Sequence, residues 1–186
     1  MAVVAKPRNV WSAGCELGEG PVWTDGALWF VDIKKRKIHR LAGEERSSWD
    51  APEQIGFVLP AEGGGFIAGL ESGLYRFDAE SEAFSLVAEV EPELPGNRLN
   101  DGVVDPSGRL WFGSMDDGEA EPTGSFYSYH RGQLRHSGLA KVAITNGPAL
   151  SPDGRLLYWV DTLGQTVNAC DVAEDGTLGE SRLLVK

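Results

Sequence analysis

One pattern of apolar and polar residues is repeated along the chain. A short apolar strand runs into a turn that contains glycine, and a second strand rich in aromatic residues follows. Glycine supplies the positive φ that hairpin turns require, and aromatic residues favour strands. Three copies are clear, at 19–32, 100–114 and 146–161. A fourth, degenerate copy covers 55–69. The pattern predicts four β-hairpins.

Two further segments after each hairpin alternate apolar and polar residues by twos, as strands do. The segments predicted as third strands are 37–41, 74–77, 125–129 and 167–171. Those predicted as outer strands are 45–49, 84–87, 134–137 and 181–185. No segment has the period of an amphipathic helix. The sequence therefore predicts an all-β fold.

The spacing of the hairpins predicts the architecture. Aromatic residues of the four second strands lie 37, 45 and 47 residues apart, at Trp29, Phe66, Trp111 and Tyr158. Four strands in every ~40 to 50 residues are typical of a propeller blade. We predict one β-propeller domain over residues 1–186, with about four four-stranded blades. A two-sheet sandwich is the alternative, but it would not require the same hairpin in every repeat.

Three polar residues recur at one position of this repeat. Glu19, Asn100 and Asn146 each stand three residues before an apolar residue of the first strand. Because the innermost strand of every blade lines the central channel, residues just ahead of it should converge near the axis. Their oxygen atoms suit a hard divalent cation, which can polarise a carbonyl group and lower the pKa of bound water. Polar residues before strands also cap turns, so a turn-capping role stays open for each.

Composition and charge narrow the functional classes. The chain contains 24 Gly and 10 Pro, which fits turn-rich β structure. Its formal net charge of -11 argues against a nucleic-acid partner, because phosphates need clustered Lys and Arg. The one basic run, 34–37, is predicted to be a solvated hairpin tip. The acidic loop 116–121 is predicted to be solvated as well.

The sequence carries no signal for secretion or for a membrane. The N-terminus lacks the apolar core of a signal peptide, and no apolar run approaches the ~18 residues of a membrane span. Cys15 and Cys170 are too few and too far apart for a disulfide framework. We expect a cytoplasmic protein with reduced thiols.

Other catalytic chemistries find little support in the residues. There is no Gly-x-Ser-x-Gly elbow, and the glycine run 63–65 is not followed by the residues of a phosphate loop. The three histidines, His39, His130 and His136, lack ligand spacing, so we expect them to pack in strands or lie on the surface. Neither cysteine has an activating constellation nearby in the sequence.

Three motifs together resemble a known family. They cover 17–23 (LGEGPVW), 98–115 (RLNDGVVDPSGRLWFGSM) and 144–154 (ITNGPALSPDG). In this order they resemble the gluconolactonase/regucalcin (senescence-marker-protein-like) family and, within it, bacterial sugar lactonases such as xylonolactonase. The resemblance implies a six-bladed propeller with one divalent cation in the channel, either Ca²⁺, Zn²⁺, Mn²⁺ or Fe²⁺. It implies opening of an aldonolactone, such as xylonolactone or gluconolactone, to the aldonic acid.

The resemblance also implies roles for six residues. Glu19 and Asn146 would be metal ligands. Arg98 and Asn100 would hold oxygen atoms of the substrate, and Asp101 would support their loop. Glu119, in the acidic loop, is matched to a glutamate that contacts the substrate. The remaining metal ligand of the family, an aspartate that also acts as general base, lies in a later Pro-Asp-Gly segment.

No Pro-Asp-Gly segment follows Asn146 at the required distance, so the catalytic residue is left unassigned. We expect the domain to lack its C-terminal third. Three explanations stay open: a fragment of a longer lactonase, a split protein completed by a second chain or copy, and a rearranged smaller propeller. The alternative function is a non-catalytic propeller module that binds a cation or a protein partner.

Overall fold

A computed structural model describes residues 6–186 of the chain, which form sixteen β-strands. The strands build four separate antiparallel sheets of four strands each, and in every sheet the strands follow chain order. No helix occurs in this part of the chain, and hence none long and apolar enough to cross a membrane. The prediction of an all-β fold with four four-stranded blades is confirmed, and a two-sheet sandwich is excluded.

Each predicted hairpin becomes the inner half of one sheet. The first sheet contains β1 (Gly18–Thr24), β2 (Ala27–Asp32), β3 (Lys37–Ala42) and β4 (Glu45–Asp50). The second sheet contains β5 (Ile55–Pro60), β6 (Phe66–Leu70), β7 (Gly73–Asp78) and β8 (Ala83–Glu89).

The third and fourth sheets repeat this order. The third sheet contains β9 (Asn97–Val104), β10 (Leu110–Asp116), β11 (Phe126–His130) and β12 (Gln133–His136). The fourth sheet contains β13 (Thr145–Leu150), β14 (Leu156–Asp161), β15 (Thr166–Asp171) and β16 (Arg182–Val185). The third and outer strands end within two residues of the predicted bounds.

Neighbouring sheets pack face to face through separate apolar cores. The first and second sheets bury Trp29, Ile38, Val58 and Phe66 between them. The second and third bury Phe57, Leu99 and Phe112. The third and fourth bury Trp111, Phe126 and Trp159. Every copy of the hairpin therefore supplies aromatic residues to a core between two blades.

The inner strands β1, β5, β9 and β13 lie side by side around a common centre. β1 contacts β5, β5 contacts β9, and β9 contacts β13, whereas the first and fourth sheets share no extensive packing within residues 6–186. The four sheets thus form an open arc of blades whose inner strands face one point.

All four inner strands carry a β-bulge. Glu19 pairs with Val31 and Asn146 with Val160, and in both strands the bulge follows at a Gly-Pro pair. Gly20 and Gly147 have φ of 57° and 70°, in the left-handed region that favours glycine. Bulges bend a strand and re-aim its side chains. The polar residues therefore lie inside the inner strands, and the expectation that they precede the strands is wrong.

The bulge in the third inner strand also shifts the repeat register. Val22 and Val103 pair with the second-strand aromatic residues Trp29 and Trp111. Gly113 stands two residues after Trp111 on the second strand, and its partner on the inner strand is Asp101. Asn100 has no partner, because it is the extra residue of the bulge. By strand pairing, Asp101 is thus the equivalent of Glu19 and Asn146. Placing Asn100 at that position was wrong, because the sequence spacing does not show where the extra residue sits.

The bulges of β5 and β9 meet at Gly56. A Cβ atom at this residue would lie far inside van der Waals contact with the carbonyl oxygens of Leu99 and Asn100. Only glycine allows the two inner strands to approach this closely.

We expect Gly56→Ala to lower the free energy of unfolding by about 2 kcal/mol, because the added methyl group must push two packed backbones apart. Urea unfolding followed by tryptophan fluorescence measures the change. Gly96→Ala is the matched control, since the nearest atom to its Cβ is 3.8 Å away. If both variants unfolded at the same urea concentration, the close approach at Gly56 would not constrain the fold.

Candidate functional site

A cavity of about 250 Å³ opens where the inner strands converge. All six residues singled out in the sequence line it: Glu19, Arg98, Asn100, Asp101, Glu119 and Asn146. Gly56 and Thr162 also contribute to the wall. The repeat of the inner strands thereby brings Glu19 and Asn146, which are 127 positions apart in the sequence, into one polar cavity.

One hydrogen bond joins the two asparagines, and each also bonds to a threonine. Asn100 Nδ2 donates to the Thr145 carbonyl oxygen at 2.6 Å and to Asn146 Oδ1 at 3.3 Å. Asn146 Nδ2 donates to Thr162 Oγ1 at 2.8 Å. Because its nitrogen is held by Thr162, Asn146 presents its side-chain oxygen on the Asn100 side.

The orientation of Asn100 is fixed from its other end. Arg98 Nη1 donates to Asn100 Oδ1 at 2.7 Å. The oxygen of Asn100 is therefore engaged by a guanidinium group, and its amide nitrogen faces the fourth blade. In this arrangement Asn100 orients Asn146 rather than offering its own oxygen to the cavity.

Two carboxylates lie close enough to influence each other. Burial and, after it, the charge of Glu19 raise the pKa of Asp101 to about 6, although hydrogen bonds from the backbone amides of Gly102 and Gly147 oppose the shift. Gly102 N donates to Asp101 Oδ1 at 2.8 Å. The contribution of Glu19 shows that two acidic side chains lie near each other, and a cation beside them would be stabilised.

Arg98 is a buried charge, only 2% exposed, and its partner is Asp117. Arg98 Nε donates to Asp117 Oδ1 at 2.7 Å. Lys34 Nζ donates to the same oxygen at 2.6 Å, and Gln54 Nε2 donates to Oδ2 at 3.0 Å. Partial burial opposes the charged form of Asp117, but these three hydrogen bonds prevail and hold its pKa down to about 2.

The donors to Asp117 come from three blades. Lys34 follows β2, Gln54 precedes β5, and Arg98 lies on β9. Predicting the run 34–37 and the loop 116–121 as simply solvated was therefore wrong for Lys34 and Asp117. No local signal marks this pair, because 83 residues separate them in the sequence.

The acidic loop is ordered by its own first residue. Asp116 accepts hydrogen bonds from the backbone amides of Gly118, Ala120 and Glu121. Glu119, with a φ of 57°, is exposed and reaches the cavity wall from this turn. The loop thus carries one residue that ties blades together and one that faces the cavity.

The chemistry of the cavity fits a hard divalent cation. Glu19 offers an exposed carboxylate and Asn146 an amide oxygen, and the charge of Glu19 is one of the causes that raise the pKa of Asp101. Carboxylate and amide oxygens are the ligands that Ca²⁺, Mg²⁺ and Mn²⁺ prefer.

Residues 17–186 match the model of the SMP-30/Gluconolactonase/LRE-like region. The chain is 37% identical over 174 residues to L-arabinolactonase of Azospirillum brasilense, covering 89% of this chain and 58% of the relative. It is 34% identical over 175 residues to 6-deoxy-6-sulfogluconolactonase of Pseudomonas putida, covering 90% and 59%. The chain therefore spans a little under two thirds of the length of these curated relatives.

Solved structures agree with these sequence relatives. The calcium-binding protein regucalcin from Agrobacterium tumefaciens superposes with a TM-score of 0.86 at 30% identity, covering 91% of this chain and 59% of that one. A luciferin-regenerating enzyme superposes with a TM-score of 0.83 at 28% identity, covering 92% and 61%. Both comparisons extend over nearly the whole of the present arc of blades.

Asp117→Asn removes the carboxylate that compensates Arg98. We expect the free energy of unfolding to fall by about 3 kcal/mol at neutral pH, because a buried guanidinium loses its counter-charge. Chemical denaturation of wild type and variant measures this difference in the free energy of unfolding. Asp50→Asn is the matched control, since Asp50 is 83% exposed in its pair with Lys37 and should cost less than about 0.5 kcal/mol.

The same variant has a pH signature. Because the pKa of Asp117 is about 2 in the folded protein and about 3.9 in an unfolded chain, its stabilisation is full above pH 4. It is lost as pH falls through 2. The stability difference between wild type and Asp117→Asn should therefore shrink over that interval. A difference independent of pH would show that the charge of Asp117 does not stabilise the fold.

Proposed function

Because the chain belongs to the SMP-30/gluconolactonase/LRE-like family, we propose that it opens a sugar lactone to the aldonic acid at the cavity between its inner strands. Glu19 and Asn146 hold one divalent cation there, and Arg98, Asn100 and Glu119 surround the sugar. Asp101 supports the cation site. The observation that carries this proposal is that these six residues, drawn from three blades, line one cavity.

Strand pairing supports the choice of ligands. Glu19 and Asn146 stand at the same register position of their sheets, beside bulges of the same Gly-Pro form. Thr162 holds the nitrogen of Asn146 and so keeps its oxygen available. When bound, the cation would polarise the lactone carbonyl and lower the pKa of a water molecule.

The remaining residues bind and orient the substrate. The hydrogen bond from Asn100 Nδ2 to Asn146 Oδ1 is the longer of its two, at 3.3 Å against 2.6 Å. The same N–H would be able to donate its hydrogen bond to an oxygen atom of the lactone instead, and Asn146 Oδ1 would then be free to bind the cation. Arg98 keeps the amide plane of Asn100 in place during this exchange, since Asp117 fixes the guanidinium.

The polar groups that line the central cavity suit an aldonolactone as the substrate class. Donor groups of Arg98 and Asn100 match ring hydroxyl and carbonyl oxygens, and Glu119 can accept from a sugar hydroxyl. The names of two relatives, L-arabinolactonase and 6-deoxy-6-sulfogluconolactonase, support this class. The description of a structural relative as calcium-binding supports Ca²⁺ as one occupant. Xylonolactone and gluconolactone are the first substrates to try.

The exposed carboxylate of Glu19 and the amide of Asn146, held by Thr162, would also serve a second candidate function. A blade assembly that retains Glu19 and Asn146 but turns over no substrate would be a cation-binding or protein-binding module.

The unpaired thiols of Cys15 and Cys170 fit the reducing environment of the cytoplasm, which is the proposed location.

We expect Glu19→Ala to weaken divalent cation binding by more than about tenfold, because the site loses its charged ligand. Titration calorimetry of chelator-treated protein with Ca²⁺, Mn²⁺ and Zn²⁺ measures the affinity. Acid release from xylono-1,4-lactone and glucono-1,5-lactone measures turnover, which should require the cation and fall to the spontaneous rate in Glu19→Ala.

Glu80→Ala is the matched control, since this exposed carboxylate lies in the turn between β7 and β8. It should bind and turn over as wild type does. Tight cation binding without acid release from either lactone would favour the module. Wild-type protein that neither binds a cation nor exceeds spontaneous hydrolysis would refute both the lactonase and the cation-binding module.

A further inference from the structure

A second group of potential metal ligands lies in the first blade. Cys15 precedes β1, Asp32 ends β2 and His39 lies on β3. One ligand atom from each lies within 4.8 Å of the other two. None of the three lines the central cavity. The spacing of these three residues in the sequence gave no sign of this cluster.

His39 is buried with one ring nitrogen uncommitted. The side chain is 5% exposed, and Nδ1 lies 2.7 Å from Ser48 Oγ. Nε2 is buried and has no hydrogen-bond partner among the described residues. If Nδ1–H donates to Ser48, Nε2 carries the free lone pair, which is the tautomer required of a metal ligand. A buried nitrogen without a partner is costly, and a bound ion would satisfy it.

The ring of His39 is also held in place by its neighbours. It stacks on Phe30 at 4.9 Å and meets the edge of Trp11 at 5.3 Å. These contacts and Ser48 leave the imidazole ring little freedom to rotate. Metal-binding histidines are typically oriented in this way by a hydrogen bond at the second nitrogen.

Asp32 is a buried carboxylate with fixed oxygens. Oδ2 accepts from the amide of Glu16 at 3.0 Å, and Oδ1 accepts from the amides of Leu17 at 3.1 Å and Lys35 at 3.3 Å. These bonds outweigh the effect of burial and lower the pKa of Asp32, so it is charged. A carboxylate has about four lone-pair sites, so room for one more partner remains.

We propose that Cys15, Asp32 and His39 form a second metal site, for a borderline-soft divalent cation such as Zn²⁺. Thiolate, imidazole and carboxylate are all zinc ligands, and half-buried Cys15 leaves a fourth position for water. A thiolate and a carboxylate together cancel the two charges of the ion, so the buried site is neutral. Ligand atoms of a tetrahedral zinc shell lie roughly 3.5 Å apart, so the side chains must close by about 1 Å.

Metal binding displaces one proton. Burial raises the pKa of the Cys15 thiol, and the neighbouring Asp32 carboxylate raises it further. Without metal, the thiol keeps its proton beside Asp32. On binding, the S–H bond breaks, the sulfur binds the ion and the proton passes to solvent. The competing explanation for the cluster is a permanent thiol–carboxylate contact with no metal, and the two are separable by spectroscopy.

Cobalt(II) is the probe, because only thiolate ligation gives an intense sulfur-to-cobalt charge-transfer band. Protein treated with chelator and kept under a phosphine reductant is titrated with Co²⁺ and scanned in the near ultraviolet. The band should appear in wild type, and its final intensity should correspond to one thiolate-bound Co²⁺ per protein molecule. Subsequent Zn²⁺ should abolish it.

Four variants assign the band. Cys15→Ser keeps a polar group beside Asp32 and should lose the band, and His39→Gln should weaken Co²⁺ binding by at least tenfold. Cys170→Ser, at the other cysteine, should keep the band. Glu19→Ala should also keep it, so the test is independent of the proposed lactonase site. Circular dichroism checks that each variant is folded.

Absence of the band in reduced wild-type protein with excess Co²⁺ would overturn the proposal. So would a band that survives in folded Cys15→Ser or disappears in Cys170→Ser. Failure of Zn²⁺ to displace Co²⁺ would overturn the assignment to zinc.

Discussion

The ion pair between Arg98 and Asp117 is the interaction on which the cavity depends. A guanidinium that is 2% exposed must be compensated where it lies, and Asp117 does so while also binding Lys34 of the first blade. From Arg98 the hydrogen bonds continue through Asn100 to Asn146 of the fourth blade. One connected polar network therefore links the first, third and fourth blades, in addition to the apolar cores that join neighbouring blades.

The fold could be predicted from the sequence because each blade repeats its own local pattern. Period-two alternation and glycine turns defined the strands, and the spacing of Trp29 and its three equivalents defined the blade. The bulges could not be placed in this way. A bulge depends on which backbones meet in space, as at Gly56 against Leu99, and identical spacing in the sequence concealed that Asp101 rather than Asn100 shares the register of Glu19.

The site was partly accessible to the same reasoning. Residues at one repeat position of inner strands must face a common centre, which is why Glu19 and Asn146 could be placed together. Asp117 could not be found, because its partners lie 19, 63 and 83 residues away and its neighbours look like an ordinary acidic loop. The cluster of Cys15 and His39 escaped notice for a similar reason. The pairing of β2 with β3 brings His39 near Asp32, and hydrogen bonds from the amides of Glu16 and Leu17 hold the segment of Cys15 on the same carboxylate.

The position of the bound ion would decide whether Glu19 of the first blade and Asn146 of the fourth blade bind the same cation. Anomalous diffraction from crystals grown with Mn²⁺ gives that position without reference to activity. We expect a peak in the central cavity within about 2.0–2.6 Å of a carboxylate oxygen of Glu19 and of Asn146 Oδ1. A well-ordered cavity with no peak, or a peak bonded to only one of these two side chains, would contradict a shared cation.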